Sequence, residues 1–155
     1  MNRKNLTLIS RIESELQNLD LLKEKIFRGW EKCLISSDSF YLDSVALNLH
    51  GYYSALERIF VIIARTFDGG IPNGTFWYHE LLVQMETDIK KIRPAVITDD
   101  LCQKLDEHRA FRHIVRNVYS FSFSAARIEP LVSHLSELSK QLDFEIRKFL
   151  KIIEE

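Results

Sequence analysis

One stretch of the chain gathers side chains suited to handling a phosphate. The segment Glu107-His108-Arg109-Ala110-Phe111-Arg112-His113-Ile114-Val115-Arg116-Asn117-Val118-Tyr119 holds three arginines and two histidines in a chain of formal net charge −1. At about 100° per helical residue, Arg112, Arg116 and Tyr119 fall on one face, and Arg109, His113 and Arg116 share an overlapping one. Arginine grips phosphate with two parallel donors and stays charged at any working pH. Histidine exchanges protons near neutrality. The combination suits binding and cleaving an RNA phosphodiester, with the RNA's own 2′-hydroxyl as nucleophile and no metal required. Two copies of the helix brought together would double the local positive field. The competing reading of the same residues is a surface ladder of ion pairs with neighbouring acidic helices, carrying no chemistry.

Other chemistries fail on spacing. There is no H-E-x-x-H and no glycine-rich phosphate loop following a strand. A carboxylate-bridged diiron bundle needs Glu-x-x-His pairs on two helices, but Glu107-His108 and His79-Glu80 are adjacent, and Glu137 follows His134 in the wrong order. His50, His79 and His134 read as surface or capping residues. Cys33 and Cys102 lack C-x-x-C spacing and read as free thiols of a reducing compartment. No metal site and no cofactor is expected.

The segment needs a scaffold, and the composition indicates which kind. With 46% apolar and 28% charged residues the chain is globular, and its 155 residues fit a single domain, 1–155. Only 5 Gly and 3 Pro punctuate it, so long helices are expected. The net charge argues against nucleic-acid binding by bulk charge but leaves room for a local basic patch. The N-terminus runs into charged helical sequence without an apolar signal core. No stretch approaches about 18 consecutive apolar residues. A cytoplasmic protein without membrane association is expected.

Periodicity supplies the elements. Leu8, Ile12, Leu16, Leu19, Leu22, Ile26, Trp30 and Cys33 mark a helix over about 5–35. Asp38 or Ser39 caps a second, whose stripe runs from Tyr41 to Ile63 and stops at Asp68-Gly69-Gly70-Ile71-Pro72-Asn73-Gly74. A third is expected from Thr75 to Arg93-Pro94, with Trp77, Leu81, Met85, Ile89 and Ile92 inward. Thr98 caps a fourth that ends near Tyr119, where Ser120-Phe121-Ser122-Phe123-Ser124 breaks the pattern. The last runs from about 125 to the C-terminus, with Pro130 in its first turns. The fold class is all-α: an antiparallel bundle of four long helices plus one more. Tyr41, Trp77, Phe111 and the stripe of the last helix are expected in the core.

The run Arg112-His113-Ile114-Val115-Arg116-Asn117-Val118-Tyr119 resembles the signature of HEPN domains, specifically the HepT-like ribonuclease toxins. That signature is Arg, four residues, His, one residue, Tyr, with a polar residue usual after the Arg. Arg112, His113 and Tyr119 fill their positions; Asn117 stands where the His belongs. Phe111 ahead of the run, and Tyr52-Tyr53-Ser54-Ala55-Leu56-Glu57-Arg58-Ile59-Phe60 on the second helix, also read like the HepT-like consensus. The resemblance implies a homodimer whose signature helices line a shared cleft, acting as a metal-independent endoribonuclease. It implies a toxin–antitoxin module in which a nucleotidyltransferase antitoxin of the MNT type transfers AMP to the signature tyrosine, here Tyr119. Arg112 would then bind RNA phosphate with Arg116 and Arg109 supporting it. His113 or Asn117 would position or activate the 2′-hydroxyl. Asparagine cannot act as a general acid or base, so the substitution puts catalysis in question. Two other readings stand beside this one: a catalytically inactive HEPN module that binds a nucleotidyltransferase or a nucleotide, and a plain helical interaction protein.

Overall fold

A computed structural model describes residues 2–117, 119 and 123–155. Among them run six helices: α1 (Arg3–Ile35), α2 (Ser39–Phe67), α3 (Trp77–Glu86), α4 (Asp99–Asn117), α5 (Ala125–Ser133) and α6 (Leu135–Glu154). The contacts set their directions. On α1 and α2, Glu15 meets Arg58 while Gly29 lies against Val45, so the two helices are antiparallel. Glu57 of α2 meets Arg112 of α4, and Thr98, next to the start of α4, meets Glu145 of α6. Asn5 donates to the carbonyl of Ile153 at 3.1 Å, and Lys23 to Ser139 at 3.4 Å, returning α6 to α1. The four long helices α1, α2, α4 and α6 thus close an antiparallel ring, as expected. The α3 helix lies along α4, and α5 packs on α6.

Two caps are those the sequence offers, and α1 is capped by Asn2, which accepts from the Lys4 amide at 3.0 Å. Asp38 accepts from the Phe40 amide at 3.0 Å at the start of α2. The Thr98 hydroxyl accepts from the Leu101 amide at 3.2 Å at the start of α4. Thr98 is itself held by buried Glu145, whose carboxylate accepts from the Thr98 amide at 2.6 Å. Inside the ring, Leu8, Ile12, Leu16, Leu19 and Ile26 of α1 pack with Val45, Leu49, Tyr52, Leu56, Ile59 and Ile63 of α2. Each such side chain contributes about 1.5–3 kcal/mol by leaving water. At Gly29 a Cβ would come within 3.0 Å of the Val45 methyl, so the glycine serves the close approach of α1 to α2.

Three expectations are corrected. The third helix stops at Glu86 rather than at Arg93. Arg93 folds back instead and is buried, donating to both carboxylate oxygens of Asp68 at 2.7 and 2.6 Å and to the carbonyls of Gln84, Thr87 and Pro94 at 3.0 Å each. This network occupies the Gln84 and Thr87 carbonyls at the end of α3, and Ile92 is left exposed. The last helix is two helices, divided at His134, four residues beyond Pro130. The backbone bonding carries across the division, His134 N–H donating to the Pro130 carbonyl at 3.1 Å and Leu138 N–H to the His134 carbonyl at 3.0 Å. Finally, Phe111 and the α6 stripe from Leu135 to Phe149 are buried, but Tyr41 is exposed and Trp77 half-buried. Tyr41 sits in the first turn of α2, and Trp77 opens α3, where fewer neighbours cover them. The α4 helix ends at Asn117, close to the predicted end; Ser120, Phe121 and Ser122 of the predicted break lie outside the described residues.

Candidate phosphate-binding site on α4

The buried side of α4 is Leu101, Cys102, Leu105, His108 and Phe111. Rooting these in the core turns Arg112 and Arg116 toward α2 and α3. Arg112 is held from two sides. Its Nε donates to Ser54 Oγ at 3.3 Å and its Nη1 to Glu57 Oε2 at 3.2 Å. Its guanidinium lies 4.8 Å from the centroid of the Tyr78 ring. Arg116 approaches the same ring, donating from Nη1 to the Tyr78 hydroxyl at 2.9 Å. Tyr78 is in turn stacked on Trp77, with centroids 3.8 Å apart. Two guanidiniums therefore share one aromatic side chain, Arg112 at 4.8 Å and Arg116 at 6.0 Å from its centroid.

The α2 face opposite repeats at helical spacing. At about 100° per residue, His50, Ser54 and Glu57 project to one side. Burial and the charges of Arg112 and Arg116 hold the His50 imidazole below its usual pKa. Both causes favour its neutral form. Burial pushes the Glu57 carboxyl up, while Arg112 and Arg116 pull it down. The Arg112–Glu57 pair is mostly covered, with side-chain exposures of 14% and 12%.

The remaining predicted residues lie around this cluster. Arg109 is turned to Asp106, donating at 2.7 Å; His79 meets the same carboxylate at 3.3 Å. His113 and Asn117 are exposed on a neighbouring face of α4, where the Asn117 amide donates to the His113 carbonyl at 2.7 Å. Tyr119, just past the helix, is 74% exposed. The structure thus joins Arg112 to Arg116 through Tyr78, and His113 to Asn117. It places Arg109 in a separate ion pair. Among the described residues no group of three or more His, Cys, Asp and Glu side chains is placed to hold a metal ion.

Sequence reasoning missed His50, Ser54, Glu57 and Tyr78. The first three were readable as a polar stripe beside the apolar stripe of α2, but only the packing of α2 on α4 shows what the stripe faces.

A family model described as "HepT-like protein" matches residues 44–153, which takes in both His50 and Glu57 and the whole of α4. No curated protein and no solved structure matches the chain.

Proposed function

This chain belongs to the HepT-like family, and on that footing we propose that it is a toxin-type endoribonuclease working as a homodimer. The observation that carries the reading is the convergence of Arg112 and Arg116 on Tyr78, with His50 one helical turn before Ser54, which Arg112 bonds. Two fixed cations bind a phosphodiester and stabilise the charge that develops on it. His50 takes the proton of the ribose 2′-hydroxyl as that oxygen attacks the adjacent phosphorus. The P–O5′ bond breaks, giving a 2′,3′-cyclic phosphate and, after protonation from solvent or His113, a free 5′-hydroxyl. His50 thereby supplies the titratable group missing at Asn117. Residues 1–155 act as one domain in this reading, with α1 closing the ring ahead of the matched region.

Regulation in this reading runs through Tyr119 and a nucleotidyltransferase antitoxin. The exposed phenol oxygen attacks the α-phosphorus of ATP, pyrophosphate leaves, and the phenolic proton passes to a base of the enzyme. The attached AMP adds an anion and bulk next to the arginines and shuts out RNA.

One observation favours a second reading, a non-catalytic module that uses the site for recognition: Glu57 already engages Arg112. The deciding experiment is cleavage of a defined RNA by purified protein in the presence of EDTA. Wild type is expected to release cyclic-phosphate ends, His50→Ala to lose about 10²–10⁴-fold in rate, and Asn117→His to gain. Inert wild type and inert Asn117→His together overturn the ribonuclease reading in favour of recognition.

A further inference from the structure

A groove of about 580 Å³ runs between α1 and α2, on surface the proposed active site does not use except at one residue. Its walls carry Lys4 and Arg11 from α1 and Arg58 and Arg65 from α2, with Glu15 and Glu57 as the acidic members. Each pair of cations is seven residues apart, two helical turns, so each pair lies on one side of its helix and spans about 10 Å. Because α1 and α2 are antiparallel, the two ladders face each other across the groove. Both carboxylates are already matched: Glu15 receives Arg58 at 3.2 Å and Glu57 receives Arg112 at 3.2 Å. Lys4, Arg11 and Arg65 are exposed and form no ion pair among the described residues. The groove therefore holds uncompensated positive charge in a chain that is net negative.

The lining also says what the groove does not read. Val61, Ile62, Ser14 and Thr66 complete it, and no aromatic side chain is among its lining residues. Bases bound by stacking need aromatic faces, whereas a backbone needs only spaced cations and hydroxyl donors. Glu57 connects the groove to the cluster on α4, since it lines the first and bonds Arg112 of the second.

We propose that this α1–α2 groove is a track for the phosphodiester backbone of single-stranded RNA, leading a strand to Arg112 and Arg116 without regard to base sequence. The proposal rests on the reading of the chain as a protein that acts on RNA. It is tested by binding, so that its failure and that of the cleavage reading are distinguishable. The probe is a fluorescein-labelled 2′-O-methyl oligouridylate of about 16 nucleotides, which lacks the 2′-hydroxyl and stays intact. Affinity is followed by anisotropy against salt for wild type, Lys4→Gln/Arg11→Gln/Arg65→Gln, and a control of equal charge, Lys90→Gln/Lys140→Gln/Lys148→Gln. The groove variant is expected to bind at least about tenfold more weakly at low salt, and its log K against log salt slope should be shallower by about 2, the share of three phosphate contacts on a single strand. The control should keep the wild-type slope, and circular dichroism should show all three folded alike. An unchanged slope in the groove variant overturns the proposal, as does wild type that fails to bind the probe. Wild type that prefers polyglutamate to RNA, with the groove variant losing that preference, overturns it in favour of an acidic protein partner. Loss of binding in the groove variant alongside wild type that never cleaves RNA supports the groove while the cleavage reading fails.

Discussion

Arg112 has two jobs that pull apart on mutation. Its guanidinium is the phosphate ligand of the proposed site, and it is also the counter-charge of a mostly buried Glu57. Arg112→Ala should therefore abolish cleavage and also destabilise the fold, by about 1–3 kcal/mol, because Glu57 is left desolvated without its donor. Adding Glu57→Gln should recover most of the stability and none of the activity. Urea unfolding and the RNA assay on the two variants separate the roles; equal stability of wild type and Arg112→Ala would show the pair to be energetically idle. His108 offers a second test at this scale. It is buried, its Nδ1 has no hydrogen-bond partner among the described residues, and burial, with His134 nearby, lowers its pKa from 6.5 to about 4. Between those values the unfolded chain binds a proton that the folded chain refuses. Stability is therefore intact above pH 6.5 and falls as the pH drops toward 4, by up to roughly 3 kcal/mol. Thermal melts across that range should show His108→Gln losing less stability than wild type on acidification.

Among the elements, the connection from α3 to α4 depends on one side chain. Arg93 closes α3, ties it to the end of α2 through Asp68, and does so fully buried. Removing one partner of a buried pair costs about 3–5 kcal/mol, so Arg93→Ala and Asp68→Ala should each lower the denaturation midpoint sharply. Their double mutant should be less destabilised than the sum of the two. Because α3 carries Tyr78, the same loosening should weaken RNA binding without touching a phosphate ligand. Retention of full affinity by Arg93→Ala would separate the loop from the site. Sequence patterning missed this loop because Ile89 and Ile92 continue the helical period of α3, while the five donors of Arg93 meet partners at four different places along the chain.

At the scale of the molecule, α2 with 29 residues is longer than α4 with 19, which packs on its site-bearing side. Phe40 and Leu47 are 75% and 67% exposed, and at seven-residue spacing they continue the side of the helix that bears Ser54. Apolar side chains in line with the site suit a second copy, which would bring the α4 helices of both together. Arg112 and Asn117 lie about 140° apart around α4, so a dimer is also the simple way for both to serve one phosphate. Sedimentation should show wild type as a dimer at micromolar concentration and Phe40→Glu/Leu47→Glu as a folded monomer with little cleavage. A wild type that sediments as a monomer overturns both points.

The sequence by itself determined the helical class, four long antiparallel helices, the caps of α2 and α4 and the arginine-rich α4, because these follow from local periodicity and capping chemistry. It also carried the resemblance to the HepT-like family through Arg112, His113 and Tyr119. Only the tertiary structure decided which side chains those arginines meet. His50 and Glu57 lie more than a hundred ångströms of extended chain away from Arg112, and nothing in local spacing brings them near. Packing of α2 on α4 brings Ser54 and Glu57 to Arg112. That docking sets a polar stripe of one helix against the cations of the other, holding the Arg112 guanidinium in place.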